Sequence, residues 1–212
     1  MKKLKITSLL AIASLALGAT AIAQNASFTA SRTFEFDPDK TGGAVASWTK
    51  GIGLPDGNGN GNTNFGLELE KNAAIDANVA SGAVLNGLKG VVVNLGDTLG
   101  YDMKNSSTAT TAGSGPRFNV SWSLNGVSNF SFVGGSANAT KTPACQNPSG
   151  WTRYRLNLQN GAQAFPVIPA GAVLQSVVLI LDEPGQNTLD NINFRDQIAT
   201  KQGSSSTSSG CP

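Results

Sequence analysis

Few side chains in this chain could do catalytic chemistry. The sequence of 212 residues contains no histidine, which excludes Ser-His-Asp and Cys-His catalysis and any histidine-ligated zinc site. A pair of carboxylates, as in glycosidases, is the remaining enzymatic option, and Glu68 and Glu70 would share one face of a strand. Because the chain has only two tyrosines and three tryptophans to build a sugar-binding cleft, we expect solvated carboxylates and no enzyme.

A run from Asp56 to Gly61 has part of the pattern of a calcium loop. Its sequence, DGNGNG, matches the first half of the D-x-N-x-N-G motif. The second half fails, because Leu67 stands where a bidentate glutamate is needed and Glu68 comes one residue late. One carboxylate poorly offsets the cost of dehydrating Ca²⁺, so we favour a flexible Asn-Gly loop.

Aromatic rings that could stack on the C–H face of a sugar form the next group of candidates. Along the strand predicted from Trp151, the side chains of Trp151, Arg153 and Arg155 share one face, and Tyr154 lies on the other. Two arginines are costly to bury unpaired. We therefore predict Trp151 as an exposed platform, Arg153 and Arg155 as hydrogen-bond donors to a ligand, and Tyr154 as core. The alternative is that Trp151 plugs the end of the strand beneath the loop that carries Cys145.

Of the remaining aromatic candidates, Trp122 alternates with small polar residues along the segment from Phe118 to Leu124. It shares its face with apolar neighbours, so we expect it in the core. Trp48 and Tyr101 are also more typical of core positions than of a binding surface.

The two cysteines, Cys145 and Cys211, are an even number in a chain that we predict to be exported, which favours one disulfide. That bridge would attach the Ser/Gly-rich tail of residues 201–212 to the loop that carries Cys145. In the chain-entropy treatment it would contribute at most about 4 kcal/mol. Two free thiols or an intermolecular bridge are the alternatives, which non-reducing mass spectrometry distinguishes.

Residues 1–23 have the pattern of a secretory signal peptide. Three lysines precede a mostly apolar run from Ile6 to Leu17, and Ala21 to Ala23 supplies a small-x-small cleavage pattern before Gln24. The apolar run is shorter than the roughly 20 residues of a spanning helix, which disfavours an uncleaved anchor. We therefore predict an exported protein that is extracellular, periplasmic or on the cell surface, without a transmembrane segment after cleavage.

Removal of the signal peptide changes the charge of the chain. Three of the fifteen lysines and arginines lie in residues 1–23, which leaves twelve basic against thirteen acidic side chains. The basic residues of the mature chain do not cluster. Nucleic acid is therefore a disfavoured partner.

The elements that must position these residues are predicted to be strands. We expect about nine to eleven short strands between clusters of Gly, Asn, Ser and Pro, and an Asn125-Gly126 hairpin turn. Alanines after Phe65 leave a short helix as an alternative to a strand there. This spacing indicates an all-β sandwich or barrel, which we place at residues 24–200.

The segment from Ala172 to Arg195 contains the strongest strand signals. An apolar run, Val173 to Leu181, and an alternating run, Thr188 to Phe194, flank turn-forming residues. We expect a β-hairpin with one fully buried and one half-buried strand.

The first predicted strand, from Ser27 to Phe36, also alternates. Its phenylalanines, Phe28, Phe34 and Phe36, fall on one face, with Arg32 as the exception. The pattern predicts a strand.

Both ends of the chain resemble the jelly-roll, galactose-binding-like carbohydrate-binding modules of secreted bacterial proteins. Such modules often open with a Phe-Glu pair and a nearby Trp, as in Phe34-Glu35 and Trp48 here. They often close with an Asp-Asn-Ile strand, similar to Asp190-Asn191-Ile192, and the segment from Gly150 to Tyr154 resembles their penultimate region. The resemblance spans most of the mature length on short motifs.

The resemblance implies a jelly-roll β-sandwich of two antiparallel sheets that acts as a non-catalytic binding module for a polysaccharide or a cell-surface glycan. It also implies a structural calcium site with Glu35 and Asp190 as ligands, which a melting curve in EDTA tests. The run from Asp37 to Asp39 replaces the usual Gly-rich turn and departs from the family pattern. The rival class is a structural or adhesive envelope protein that uses the same fold for protein contacts, and a carboxylate-pair glycosidase is the third.

Overall fold

The computed structural model describes most of the chain after the first 27 residues. The described residues are 28–55, 64–75, 77–108, 115–195, 197–199 and 205–207. The predicted signal peptide, the run from Asp56 to Gly61 and Cys211 lie outside them. No helix of the described ranges is long and apolar enough to cross a membrane.

The described residues form fourteen β-strands and no helix, so the prediction of an all-β fold is confirmed. The strands, in chain order, are β1 (Thr29–Phe36), β2 (Ala44–Lys50), β3 (Phe65–Lys71), β4 (Ala80–Asn86), β5 (Thr98–Lys104), β6 (Arg117–Leu124), β7 (Val127–Val133), β8 (Thr140–Pro143), β9 (Trp151–Asn157), β10 (Ala164–Phe165), β11 (Val173–Leu181), β12 (Gly185–Phe194), β13 (Gln197–Ala199) and β14 (Ser205–Thr207). The segment after Phe65, for which a short helix was the alternative, begins with β3. Very short strands such as β10 and β13 account for the excess over the predicted number.

Two antiparallel sheets form the sandwich. Sheet A has six strands in the order β1-β4-β11-β6-β7-β10. Sheet B has eight, in the order β14-β13-β12-β5-β9-β8, with β3 paired to the first half of β12 and β2 paired to β3. Alternate side chains of each sheet point between the sheets, where they form the apolar core.

Aromatic residues at the centre of the core form hydrogen bonds through their polar atoms. Tyr101 stacks on Tyr154 with ring centroids 5.4 Å apart and donates its hydroxyl to the Pro116 carbonyl at 2.8 Å. Trp122 Nε1 donates to the Ser131 hydroxyl at 2.8 Å. Trp122 and Tyr154 are both buried, so their prediction as core residues is confirmed.

The predicted turn at Asn125-Gly126 joins β6 to β7, which pair along their whole length. Both turn residues have positive φ, 52° and 80°, as the tightest hairpin turns require. This local prediction is confirmed.

The predicted hairpin between residues 172 and 195 is wrong. Both strands exist, but β11 lies in sheet A and β12 in sheet B, so residues 182–184 cross between the sheets. The burial is also reversed: β11 alternates, whereas β12 is almost wholly buried from Leu189 onward. The burial differs because the outer face of β11 is open, whereas both faces of β12 are covered.

A β-bulge near the start of β1 changes which side chains face the core. The register of β1 against β4 shifts between Thr29 and Arg32. An extra residue in a strand turns the following side chains to the opposite face. Phe28 is therefore buried, while Phe36 is 47% exposed on the outer face of sheet A. The predicted strand is confirmed, but its phenylalanines do not share one face, because the bulge separates Phe28 from Phe34 and Phe36.

A second bulge lies in β12. Its register against β5 shifts between Asp190 and Asn193, and Asn191 between them has a φ of 46°. Leu189 and Ile192, which strict alternation places on opposite faces, are both fully buried in the core. The bulge leaves Asp190 on the outer side of sheet B.

Candidate functional site

The three predicted ligand-binding residues, Trp151, Arg153 and Arg155, lie on the outer face of sheet B. Trp151 is only 3% exposed, so the prediction of an exposed platform is wrong. It packs with Leu54 and Ala144 in a small apolar cluster separate from the main core. The observed position is the alternative, in which the loop before β9 covers the tryptophan.

An acidic partner lies opposite the two arginines, of which Arg153 is buried and Arg155 half-buried. Asp102 on β5 is completely buried. Arg153 Nε donates to Asp102 Oδ1 at 3.1 Å, Arg155 Nη1 lies 3.7 Å from the same oxygen, and the Asn191 amide donates to Oδ2 at 2.8 Å. Burial lowers the pKa of Arg155 to about 10, and the charge of Asp102 opposes that shift. We call Asp102, Arg153, Arg155 and Asn191 the buried charge cluster.

Asp102 was missed because the sequence reasoning treated the arginines as unpaired. It is the cross-strand partner of Arg153 in the register of β5 against β9. A single acidic residue in the otherwise apolar run Leu99 to Met103 was the available signal. An isolated carboxylate in such a run indicates a buried ion pair, since an unpaired one is too costly.

Two loops cover the buried charge cluster. In the first, Leu54 N donates to Asp190 Oδ2 at 2.7 Å, and Gly53 lies so close that an added Cβ would be 2.7 Å from the same oxygen. In the second, the Gln146 side chain accepts a hydrogen bond from the Asn191 amide at 3.3 Å. Water and ligands therefore have little access to this part of the outer face.

The predicted calcium ligands, Glu35 and Asp190, lie in different sheets. Glu35 Oε1 accepts a hydrogen bond from Ala46 N at 3.1 Å, and Asp190 receives one from Leu54 N. Each carboxylate thus holds a backbone amide. Among the described residues, no group of three or more Asp, Glu, Cys or His gathers as a metal site, and calcium binding stays a prediction.

The carboxylates considered for glycosidase chemistry, Glu68 and Glu70, lie on β3 in sheet B. Glu68 accepts hydrogen bonds from the Gln186 amide and, at 3.3 Å, from the Thr49 hydroxyl. Glu70 lines a polar cavity of about 550 Å³ with Gln186 and Thr108. Neutral donors therefore surround Glu68, and this arrangement adds no support for an enzyme.

Cys145 lies in the loop between β8 and β9, where Arg153 Nη2 is 3.7 Å from its sulfur. No described cysteine is a free thiol. Since Cys211 lies outside the described residues, the bridge between Cys145 and Cys211 stays a prediction.

An open groove on the outer face of sheet A is the strongest candidate for a binding site. It has a volume of about 400 Å³. Neutral polar side chains from the adjacent strands β6 and β11, Asn119, Ser121 and Ser176, contribute to its floor beside Val178 and Ile180. The floor therefore offers hydrogen-bond donors and acceptors within an apolar surface.

Phenylalanine rings form the two walls of the groove. Phe34 and Phe36 on β1 line one side, and Phe130 on β7 lines the other. Phe36 is 47% and Phe130 44% exposed. Three strands separate β1 from β7, so their backbones are about 19 Å apart at the usual strand spacing. The two walls therefore lie on strands at opposite sides of the groove floor.

Gly82 on β4 makes room for the ring of Phe34. It is the cross-strand partner of Phe34. A Cβ added at Gly82 would lie 2.5 Å from Phe34 Cζ and 2.4 Å from the Leu179 carbonyl oxygen. The absent side chain thus lets the ring pack against the strand backbone, where it forms a fixed wall.

The groove continues into a second cavity of about 350 Å³. Four residues line both spaces: Phe36, Ala80, Asn119 and Ile180. The second cavity also contains Arg117 and Asp182, which form a two-point ion pair. The Arg117 guanidinium lies 5.1 Å from the centre of the Phe132 ring. One end of the combined groove is therefore polar and charged.

The sequence contained a signal for only one of the two walls. In β7, Phe130 and Phe132 alternate with Ser131 and Val133, and the structure places the two rings edge to face at 5.0 Å on the outer side. Two aromatic residues opposite a buried serine and valine are compatible with an exposed aromatic face. The other wall depends on the bulge in β1, which strict alternation does not predict.

No protein-family model, curated protein or solved structure matches this chain. The resemblance to carbohydrate-binding modules therefore stays a prediction from short motifs.

Proposed function

We propose that the protein is an exported, non-catalytic binding module that holds a carbohydrate in the groove of sheet A. One observation carries the proposal: exposed phenylalanine rings face each other across a floor of Asn and Ser side chains. The C–H face of a sugar can pack on an aromatic ring, and its hydroxyls can bond to the amide and hydroxyl groups of the floor. Of the aromatic residues in the sequence, these phenylalanines replace the predicted Trp151 as the ligand platform.

Alanine substitutions in the two walls test this proposal. Phe34→Ala and Phe130→Ala should each weaken retention on insoluble polysaccharides by roughly tenfold, equivalent to about 1.4 kcal/mol, because each removes one stacking surface. Their thermal midpoints should change little, since both rings are partly exposed. Affinity electrophoresis and a binding isotherm on cellulose, xylan and mannan measure the effect.

Phe165→Ala is the matched control for the wall variants. Phe165 is 75% exposed on β10 and does not line the groove. It should keep wild-type retention. Equal loss in all three variants would indicate general surface adhesion, and retention unaffected by the wall variants would refute the groove as the carbohydrate site.

The second candidate function is adhesion to another protein through the edge of sheet A formed by β7 and the two-residue strand β10. Val127 is 63% and Phe132 47% exposed, and β7 carries no charged residue. An exposed apolar patch on an uncharged edge strand favours protein contacts. The test is retention of the protein on whole cells. If Phe165→Ala abolishes this retention and Phe34→Ala leaves it unchanged, protein adhesion is favoured over carbohydrate binding.

A further inference from the structure

The charged side chains along the groove are largely occupied by partners within the protein. Arg117 and Asp182 neutralise each other through two contacts, with 24% and 31% of their side chains exposed. A guanidinium that is held by a carboxylate on two nitrogens is a poor partner for a second anion. Arg117, the one arginine among the described residues that line the combined groove, is therefore already neutralised.

Lys71, the other basic residue beside the groove, is also occupied. It is 2% exposed. Its ammonium group donates to three backbone carbonyls, those of Ile75 at 3.1 Å, Ala77 at 2.8 Å and Asp182 at 2.9 Å. A lysine has three donors, so none remains for a ligand.

No lysine or arginine is among the described residues that line the main groove. Glu35 belongs to that lining, but its carboxylate lies on the opposite side of β1 from Phe34, where it accepts a hydrogen bond from Ala46 N of sheet B. Arg32 lies two residues before Phe34 on the outer side of β1 and does not line the groove. A carboxylate or sulfate bound in the groove would therefore lose hydration that no lining cation replaces.

We infer that the groove selects an uncharged sugar chain and discriminates against sugars that carry carboxylates or sulfates. This inference rests on the proposed carbohydrate-binding function and names its ligand class. Neutral hydroxyls match the donors and acceptors of Asn119, Ser121 and Ser176. The Ser176–Ile180 floor extends about 13 Å along β11 at the usual rise per residue, which suits a short stretch of a linear chain.

Isothermal titration with hexasaccharides of matched length tests the selectivity. The probes are the neutral gluco-, xylo- and manno-hexasaccharides and the acidic galacturonate hexamer. The wild-type chain should bind at least one neutral probe, and the acidic probe about tenfold or more weakly than the tightest neutral one.

Asp182→Asn and Asp182→Glu form a matched pair of variants for the same titration. Asp182→Asn releases the guanidinium of Arg117 into the groove and should strengthen binding of the acidic hexamer roughly threefold to tenfold, with neutral binding unchanged. Asp182→Glu keeps a carboxylate partner and should behave as wild type. Thermal melting confirms that both variants are folded.

The outcomes separate this inference from the function on which it rests. An acidic hexamer that binds the wild-type chain as tightly as the best neutral probe would overturn the charge selectivity and leave carbohydrate binding intact. An Asp182→Asn variant that is folded but no better at binding the acidic hexamer would also count against it. Absence of binding to every hexamer and every insoluble polysaccharide would overturn the proposed function itself.

Discussion

The two outer faces of the sandwich differ in the exposure of their charged and aromatic residues. On sheet B, two loops cover the buried charge cluster, and Trp151 packs beneath them with Leu54. On sheet A, aromatic rings remain partly exposed on both sides of an open groove. We refer to these as the covered face and the open face. The comparison teaches that residue type alone does not mark a site, since the tryptophan is structural and the phenylalanines are available.

The two faces should differ most in the stability lost when the aspartate of an Arg–Asp ion pair is replaced. Asp102→Ala on the covered face removes the carboxylate from the buried guanidinium of Arg153 and the half-buried one of Arg155, and it should cost about 3–5 kcal/mol of unfolding free energy. Asp182→Asn on the open face disturbs a partly exposed pair and should cost about 1 kcal/mol or less. Urea unfolding monitored by tryptophan fluorescence compares the two. Similar losses would show that the covered face is as accessible to water as the open one.

Truncation of an aromatic residue on each face should separate stability from binding. Trp151→Ala removes a buried indole and should destabilise the protein by about 3 kcal/mol, with polysaccharide affinity kept in the folded fraction. Phe130 is 44% exposed, so Phe130→Ala should weaken polysaccharide binding and leave the stability almost unchanged. Thermal melting and retention are measured on the same samples below the melting range. Trp151→Ala with an unchanged midpoint and no retention would restore the original prediction of a platform on sheet B.

The smallest effect is expected at a glycine of the open face. Gly82→Ala places a methyl group against Phe34 and the Leu179 carbonyl, so it should cost about 1–3 kcal/mol through overpacking and weaken ligand binding by displacing the ring. The control is Gly161→Ala, where an added Cβ meets only a Val167 carbon at 3.9 Å. The control should leave melting and binding unchanged. Unimpaired binding in Gly82→Ala would mean that the position of the Phe34 ring is not important for the ligand.

The features of the fold that were predictable have local causes. Alternating runs predicted the strands, and Asn125-Gly126 predicted its turn because few residues adopt positive φ at both central positions. The crossing between β11 and β12 was not predictable in this way. Turn-forming residues suit a hairpin and a sheet-to-sheet connection equally well, and which one forms depends on strands distant in sequence.

The candidate site was harder to predict because it depends on contacts that are non-local. The burial of Arg153 requires Asp102, which lies 51 residues earlier in the chain. The exposure of Phe34 requires a bulge, and Arg32, the polar exception in an apolar face, was its only trace in the sequence. An exception to alternation within a strand is therefore better interpreted as a change of face than as a defect in the pattern.

The bulge in β1 also has a consequence in genetic terms. It adds one residue between Thr29 and the rest of the strand. The presence or absence of one codon therefore decides whether Phe34 and Phe36 face the surface or the core. One wall of the groove can thus be gained or lost through an in-frame insertion or deletion. Such a change need alter none of the side chains that line the groove.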